Sequence, residues 1–441
     1  MRILLIYPRF QWSEHGQMQE PLGLLYLAPV LRGRGHEVRL LDFTYEKNLD
    51  RLGPEISWAE AVGLTTSSVL FNRAVFILKE IRRLKPGLPV IAGGPHPTAD
   101  PEGTLRAGFD FAVVGEGENT AVELFASLEA GRDGFGIPGV WAMKDGEIFP
   151  ASARPLIPDL SALPLPAREL IDYQTYLRNG LLQVGFALSR GCPFQCRFCK
   201  PMQDMLFGKK LRKRPPEAVA EEIEQAVRLT GHRFMLFRDD CLTALKKEWF
   251  EQFRVELEKR HLQITFSGQT RVSDLDEEML LLLKSLGLVG LAFGVESGSQ
   301  KIIDYYHKSF KVEQSLKAFE LCHKHGVGTH CFIIIGAPEE TSEDLRQTVE
   351  LVRRLKPESI TISRLTPAPG TYLHEEHLKA GILKQTDWEQ WDFYKNQSPI
   401  RLNYLKEDDL ILAENEMRAM VPGSVLYPRK EILTCEQVVK R

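Results

Sequence analysis

The stretch Ser189-Arg190-Gly191-Cys192-Pro193-Phe194-Gln195-Cys196-Arg197-Phe198-Cys199-Lys200 decides how the chain is read. It sets three thiols within eight residues, directly after the apolar run 181–188, which reads as a strand entering a loop. Cysteine thiolates hold iron–sulfur clusters, and three of them on a four-iron cluster leave one iron open to an outside ligand. A structural zinc site is the competing reading. Zinc in such sites takes four protein ligands, and no fourth follows here at a usual spacing.

At 441 residues the chain exceeds one ordinary core and implies two to four units. With 43% apolar and 26% charged residues it has the composition of a soluble globular protein. A net charge of -3 provides no global field to gather nucleic acid or an anionic membrane. The first apolar run stops at Pro8, too short for a signal peptide, and the richest apolar segment, 279–293, is broken by Lys284 and glycines. No membrane span is expected. Seven cysteines, odd in number and sparse, fit a reducing compartment, so a cytoplasmic protein is expected.

Residues 1–145 alternate strand and helix patterns, with strands over 2–7, 37–42, 59–65, 89–92 and 111–114. Helical patterns over 21–33, 72–84, 101–107 and 120–130 separate them. Such alternation predicts a doubly wound parallel sheet, whose ligand lies at the carboxyl ends of the strands. Those ends read Thr65-Thr66-Ser67-Ser68, Gly93-Gly94-Pro95-His96 and Gly115-Glu116-Gly117-Glu118. Glycines admit a large ligand to the backbone, although turns alone also require them. No G-x-G-x-x-G follows the first strand, which disfavours a nicotinamide dinucleotide.

Five prolines between Pro150 and Pro166 make 146–180 a stiff connector. Residues 181–385 then carry six strand–helix units, too few for a closed eight-fold barrel, and predict a partial (β/α)6 TIM-type barrel with its functional groups on the loops after the strands. Asp239 and Asp240, Arg271, and Glu296 with Ser297 fall at successive strand ends. Each alone could cap a turn or pair on the surface; Arg271 has Asp274 and Asp276 within reach in sequence. The basic run Lys209-Lys-Leu-Arg-Lys-Arg214 reads as a solvated loop ahead of a nucleic-acid or anion site. Cys322 and Cys331 read as buried thiols, and Cys241 and Cys435 add no second ligand cluster. Residues 386–441 form a small helical region, with a helix over 407–420. Trp388, Trp391, Phe393, Tyr394 and Tyr404 are expected to seal one end of the barrel.

The cysteine spacing, with Phe198 before the third thiol, resembles the radical S-adenosylmethionine (SAM) enzymes, as do Phe237-Arg-Asp-Asp240, Gly294-Val-Glu-Ser-Gly-Ser299, Ile335-Gly-Ala-Pro-Glu-Glu-Thr341 and Thr366-Pro-Ala-Pro-Gly-Thr371. Pro21-Leu-Gly-Leu-Leu-Tyr-Leu-Ala28, Ala92-Gly-Gly-Pro-His-Pro-Thr98 and Val114-Gly-Glu-Gly-Glu118 resemble the Rossmann-like cobalamin-binding domain that precedes the core in cobalamin-dependent members. The resemblance implies a 4Fe-4S cluster on Cys192, Cys196 and Cys199, and SAM held by Phe198, Asp239 or Asp240, Arg271, Glu296 and Ser297. It implies cobalamin near Thr66, Ser67, Gly93, Gly94, Gly115, Glu116 and Gly117. The Asp-x-His-x-x-Gly signature of histidine-ligated cobalt is missing, and His96 reads as a turn residue.

The implied activity is methylation of an unactivated carbon through a 5′-deoxyadenosyl radical and methylcobalamin. A small-molecule, lipid or peptide substrate and a flavodoxin- or ferredoxin-type electron donor are implied with it. Cyclisation or rearrangement without methyl transfer stays open, as does a non-catalytic corrinoid-sensing module. A methylthiotransferase is disfavoured because no cysteine precedes Cys192.

Overall fold

The computed structural model describes residues 1–9, 20–46, 48–181, 183–383 and 398–421. Its first sheet is built from β1 (Arg2–Tyr7), β2 (Glu37–Asp42), β3 (Ala61–Thr65), β4 (Val90–Gly93), β5 (Phe111–Val113), β6 (Val140–Lys144) and β7 (Glu147–Phe149), in the order β2-β1-β3-β4-β5-β6-β7. The first five strands run parallel, as the alternation predicts. Strand β1 shows why they form: Leu4 and Ile6 pack against the helix Phe71–Leu84, while Ile3 and Leu5 pack against the helices Leu22–Arg32 and Gly117–Glu129. Both faces are covered, so the run is apolar without alternation. Full burial of each such side chain contributes roughly 1.5–3 kcal/mol.

Strands β6 and β7 form an antiparallel hairpin on the edge of β5. Its two-residue turn is Asp145-Gly146, with φ of 54° and 83°, the backbone a hairpin turn of this length demands. The sheet therefore runs to Phe149, four residues beyond 145, and carries two antiparallel strands that the alternation alone does not reveal.

The second sheet begins at β8 (Val184–Phe186). A short antiparallel pair, β9 (Ser189–Arg190) with β10 (Arg212–Lys213), brackets the cysteine loop. Then come β11 (Phe234–Phe237), β12 (Thr265–Thr270), β13 (Leu288–Glu296), β14 (Gly328–Ile335) and β15 (Ser359–Arg364). The order β15-β14-β13-β12-β11-β8 is parallel throughout and leaves β8 and β15 unpaired with each other, which makes the expected six-stranded open barrel. Helix starts follow local rules: the Asp276 carboxylate accepts from Met279 N, and Thr341 with Asp344 closes a capping box on Ser342–Leu355.

The connector is packed into both halves. Arg168, fully buried, donates to the Tyr173 hydroxyl, to Gly185 O and to Glu222 of the helix Pro216–Thr230; Glu222 also receives Arg214 and the hydroxyl of Tyr26 from the helix Leu22–Arg32. One carboxylate thus joins the first sheet's helix, the connector and the barrel.

At the far end the helix Glu407–Ala419 lays Leu410, Ala413 and Met417 against Leu345, Val349 and Val352. Tyr404 is 62% exposed, so it does not seal the barrel. Trp388, Trp391, Phe393, Tyr394 and Cys435 lie outside the described residues. Cys322, Cys331 and Cys241 are buried free thiols. Among the described residues no helix is long and apolar enough to cross a membrane.

Candidate active site

The cysteine loop leaves β9 through Gly191. Its φ is +94°, and a Cβ there would lie 2.4 Å from Lys210 O and 2.9 Å from Phe207 O, so only glycine fits. Beyond it Cys199 N and Lys200 N both donate to Cys196 O, winding the second half of the loop into a turn. Lys200, 1% exposed, donates through Nζ to Cys192 O at 2.9 Å and pairs with Asp204, which clamps the two ends of the loop together.

All three thiols line one cavity of about 420 Å³ with Phe198, Asp240, Arg271 and Glu296. Burial, reinforced by the Asp240 carboxylate, pushes the Cys192 thiol up to about 11 and the Cys199 thiol up to about 12. Thiols so placed ionise only against a strong local positive charge, which a bound metal supplies. Among the described residues no three His, Cys, Asp or Glu side chains converge on a single ion.

The remaining residues of the cavity divide clearly. Arg271 Nη1 lies 3.4 Å from Cys196 Sγ, its guanidinium stacks 4.0 Å above Phe194, and Nε faces Asp274 at 3.6 Å. Asp240 accepts from Gln203 Nε2 at 2.7 Å, and burial pushes its carboxyl above the ordinary value. Glu296 stands in left-handed backbone at φ 65°, where β13 shifts register against β14, and its Oε1 accepts from Lys308 Nζ at 2.7 Å. Phe198 meets Tyr306 edge-on at 5.5 Å.

Two of the expected SAM contacts do not reach this cavity. Asp239 accepts from Leu188 N at 3.0 Å and from the Ser189 hydroxyl, tying β11 to the start of the cysteine loop; burial raises its carboxyl to about 6. Ser297 shares a hydrogen bond with Thr348 at 3.0 Å and accepts from Ser299 N, anchoring the end of β13 to Ser342–Leu355. Lys308 and Gln203, absent from the sequence reading, are the partners that hold Glu296 and Asp240. No short motif marks either, because each acts across a turn of the fold.

A second cavity, of about 370 Å³, opens at the carboxyl ends of β1, β3, β4 and β5. Gly93, Gly94, Gly115, Glu116 and Gly117 line it, with Leu24, and across from them stand Arg190, Leu206, Phe207 and Arg238 of the barrel half. Gly94 has φ +106°, and a Cβ would lie 2.9 Å from Thr66 O; Gly115 has φ +81°, and a Cβ would lie 3.2 Å from Met205 O. Bare backbone on one wall, and Leu206 and Phe207 flanked by two arginines on the other, suit a broad, flat ligand such as a corrin.

Thr65 lines this cavity, whereas Thr66 and Ser67 do not. Thr66 is 1% exposed, its carbonyl accepts from His96 N, and Ser67 precedes the turn Ser68–Leu70. His96 is buried against Phe71, with Nδ1 3.0 Å from the Ser68 hydroxyl, and burial lowers its pKa to about 4. Glu116 is committed to protein contacts: it receives Arg190 at 2.9 Å, Arg212 at 2.9 and 3.0 Å, and Ile157 N at 2.8 Å. Burial alone would raise its carboxyl, and these hydrogen bonds outweigh that and hold it below the ordinary carboxylate value. The basic run is accordingly no plain solvated loop, since Arg212 and Arg214 are tied inward.

An open barrel with three thiols at its mouth, facing a glycine-lined cavity on a doubly wound sheet, defines a protein built around two cofactor-binding cavities. Residues 186–352 match the radical SAM superfamily, and residues 13–125 match the B12 binding domain. A protein of Pyrococcus horikoshii named an uncharacterized methyltransferase is 30% identical over 404 residues, spanning 89% of this chain and 86% of its own length. An anaerobic magnesium-protoporphyrin IX monomethyl ester cyclase of Rubrivivax gelatinosus is 29% identical over 411 residues, spanning 89% and 72%. Among solved structures, the radical SAM methyltransferase TsrM from Kitasatospora setae, with cobalamin and a 4Fe-4S cluster bound, matches with a TM-score of 0.76 at 20% identity, over 96% of this chain and 91% of that one. The chain belongs to the radical SAM superfamily, in the group whose core follows a B12-binding domain. Its cofactors are a 4Fe-4S cluster, SAM and cobalamin.

Proposed function

We propose that this protein is a cobalamin-dependent radical SAM methyltransferase acting on an unactivated carbon. The observation that carries the reading is the helix Met202–Phe207. It begins three residues after Cys199, and its Leu206 and Phe207 form a wall of the corrinoid cavity, so a single short element separates the two cofactor sites. When bound, the cluster with SAM supplies a one-electron cleavage that generates a carbon radical, and the corrinoid supplies a transferable methyl group.

The chain's own groups bind and orient. Cys192, Cys196 and Cys199 would hold the cluster through three of its irons, and the iron without a thiolate would be the one open to SAM. Asp240, steadied by Gln203, accepts the SAM ammonium, and Arg271 offers its guanidinium to the carboxylate. With Oε1 taken by Lys308, Glu296 presents Oε2 to the ribose hydroxyls. Phe332, Ile333, Ile334 and Leu365 supply apolar side chains to the same wall, beside the polar Gln269, Thr270, Ser363 and Thr366. A small molecule, lipid or peptide serves as substrate, and a flavodoxin- or ferredoxin-type protein as reductant.

The test is product analysis of reconstituted, reduced protein with candidate substrates. Release of 5′-deoxyadenosine together with a product heavier by one methylene supports methyl transfer, and 5′-deoxyadenosine with no methylene gain supports the second reading, cyclisation. That second reading is favoured by the likeness to the Rubrivivax cyclase. A Cys199→Ala variant should lose iron, sulfide and all 5′-deoxyadenosine release while melting as the apoprotein does. If it keeps full SAM cleavage, the reading fails.

A further inference from the structure

The fold divides the basic run 209–214 into two sets. Arg212 and Arg214 turn inward to Glu116 and Glu222, whereas Lys209, Lys210 and Lys213 are exposed and make no ion pair among the described residues. Leu211, between them, lines a surface concavity of about 410 Å³ together with Pro193, Phe194, Lys246, Asp274 and Leu275. Pro193 and Phe194 belong to the three-residue segment between the first two cysteines, and Phe194 also lines the cavity that holds the thiols. One aromatic ring, stacked under Arg271, is therefore common to the outer concavity and the cluster cavity.

The lining itself carries one lysine, Lys246, and two aspartates that are both engaged by cations, while the exposed Lys209, Lys210 and Lys213 flank Leu211 along the chain. Asp274 is engaged by Arg271, and Asp276 caps the helix Glu277–Ser285 and pairs with Lys247 at 3.2 Å. Lys246, like the three lysines of the run, has no ion pair among the described residues. The other surface concavity that touches the cysteine loop, about 880 Å³ around Gln195, Arg197 and the helix Tyr372–Lys379, has mixed charge: Arg197 is paired with Glu376, and Glu375 balances Lys379.

We propose that the concavity beside Phe194, with Lys246 in its lining and the exposed lysines of the basic run flanking Leu211, is the docking site of the cluster's electron donor, an acidic flavodoxin-type protein that brings its exposed flavin edge against Phe194. The apolar floor accepts a flat aromatic edge, and the uncommitted lysines steer and orient an acidic face at long range. In the step served, one electron leaves the reduced flavin and enters the cluster, and no bond is made or broken. The inference rests on the cluster reading above.

The test uses reconstituted full-length protein and purified flavodoxin, comparing wild type with the triple variant Lys209→Glu, Lys210→Glu, Lys246→Glu. Flavodoxin affinity by calorimetric titration should fall at least tenfold in the variant. Stopped-flow reduction of the cluster by flavodoxin hydroquinone should slow by at least the same factor and lose its dependence on ionic strength. Reduction by dithionite, and 5′-deoxyadenosine release driven by dithionite, should remain at the wild-type level. Flavodoxin binding and reduction unchanged in the triple variant overturn the proposal, as does an equal loss in a Lys379→Glu control, which would move the dock to the second concavity. Lysine-dependent binding of a ferredoxin but not of flavodoxin overturns the choice of partner. Wild type that cleaves no SAM even with dithionite overturns the cluster reading itself, and with it this site.

Discussion

Glu296 combines two strained features: a side-chain-bearing residue at φ 65° and a carboxylate about 5% exposed. Lys308 makes both tolerable by neutralising the charge inside the cavity wall. Replacing one partner of such a pair strands the other, at about 3–5 kcal/mol. Lys308→Met should therefore lower the thermal midpoint sharply and weaken SAM binding, measured by calorimetry and by equilibrium dialysis. The double variant Lys308→Met, Glu296→Gln should recover much of the stability and none of the binding. At this scale the sequence is legible where chemistry is local. The three thiols, Phe198, Asp240, Arg271 and Glu296 line one cavity. Adjacent residues on a strand end are a different matter, because side chains alternate sides along a strand. Choosing between Asp239 and Asp240, or between Glu296 and Ser297, requires knowing which side faces the barrel interior.

Among the elements, the glycine-rich strand ends of the first sheet divide by what a Cβ would strike. At Gly94 both the positive φ and the approach of Thr66 O forbid a side chain, whereas Gly117 has open space around it. Gly94→Ala should cost roughly 1–3 kcal/mol through backbone strain and reduce corrinoid retention on purification, read from the absorption spectrum. Gly117→Ala should leave retention near wild type. The five parallel strands were readable because buried strands are continuous apolar runs. The β6–β7 hairpin was not, since its two short strands lie just where the expected connector begins, and only Asp145-Gly146 announces it.

Over the whole molecule, the two halves are joined by two carboxylates: the sequence singles out Glu116 only as a residue near cobalamin, and Glu222 not at all. Glu222 binds Arg168, Arg214 and Tyr26, and Glu116 binds Arg190, Arg212 and Ile157 N. Arg214 is eight residues from Glu222, but the other partners lie 41 to 196 residues away, beyond any local pattern. Burial would raise the Glu222 carboxyl; Arg168 and Arg214 overcome it and hold the group below its ordinary value of 4.5. A depressed carboxyl contributes stability that is complete above that value and is lost as pH falls through the lower, folded one. Acid titration followed by tyrosine fluorescence should show loosening below pH 4.5. In Glu222→Gln, already weaker by about 3–5 kcal/mol at neutral pH, that acid step should be smaller.

The salt links from Glu116 reach Arg190 on β9 and Arg212 on β10, the two strands that bracket the cysteine loop. The apparent seam at the proline-rich segment is therefore a poor place to cut if front and rear modules are to be exchanged between relatives. A transplanted corrinoid module brings its own acidic residue and needs the matching arginines, so residues 189–214 must travel with it. Chimaeras spliced near residue 165 should lose their iron even though every thiol is present, and moving the hairpin with the front module should restore it.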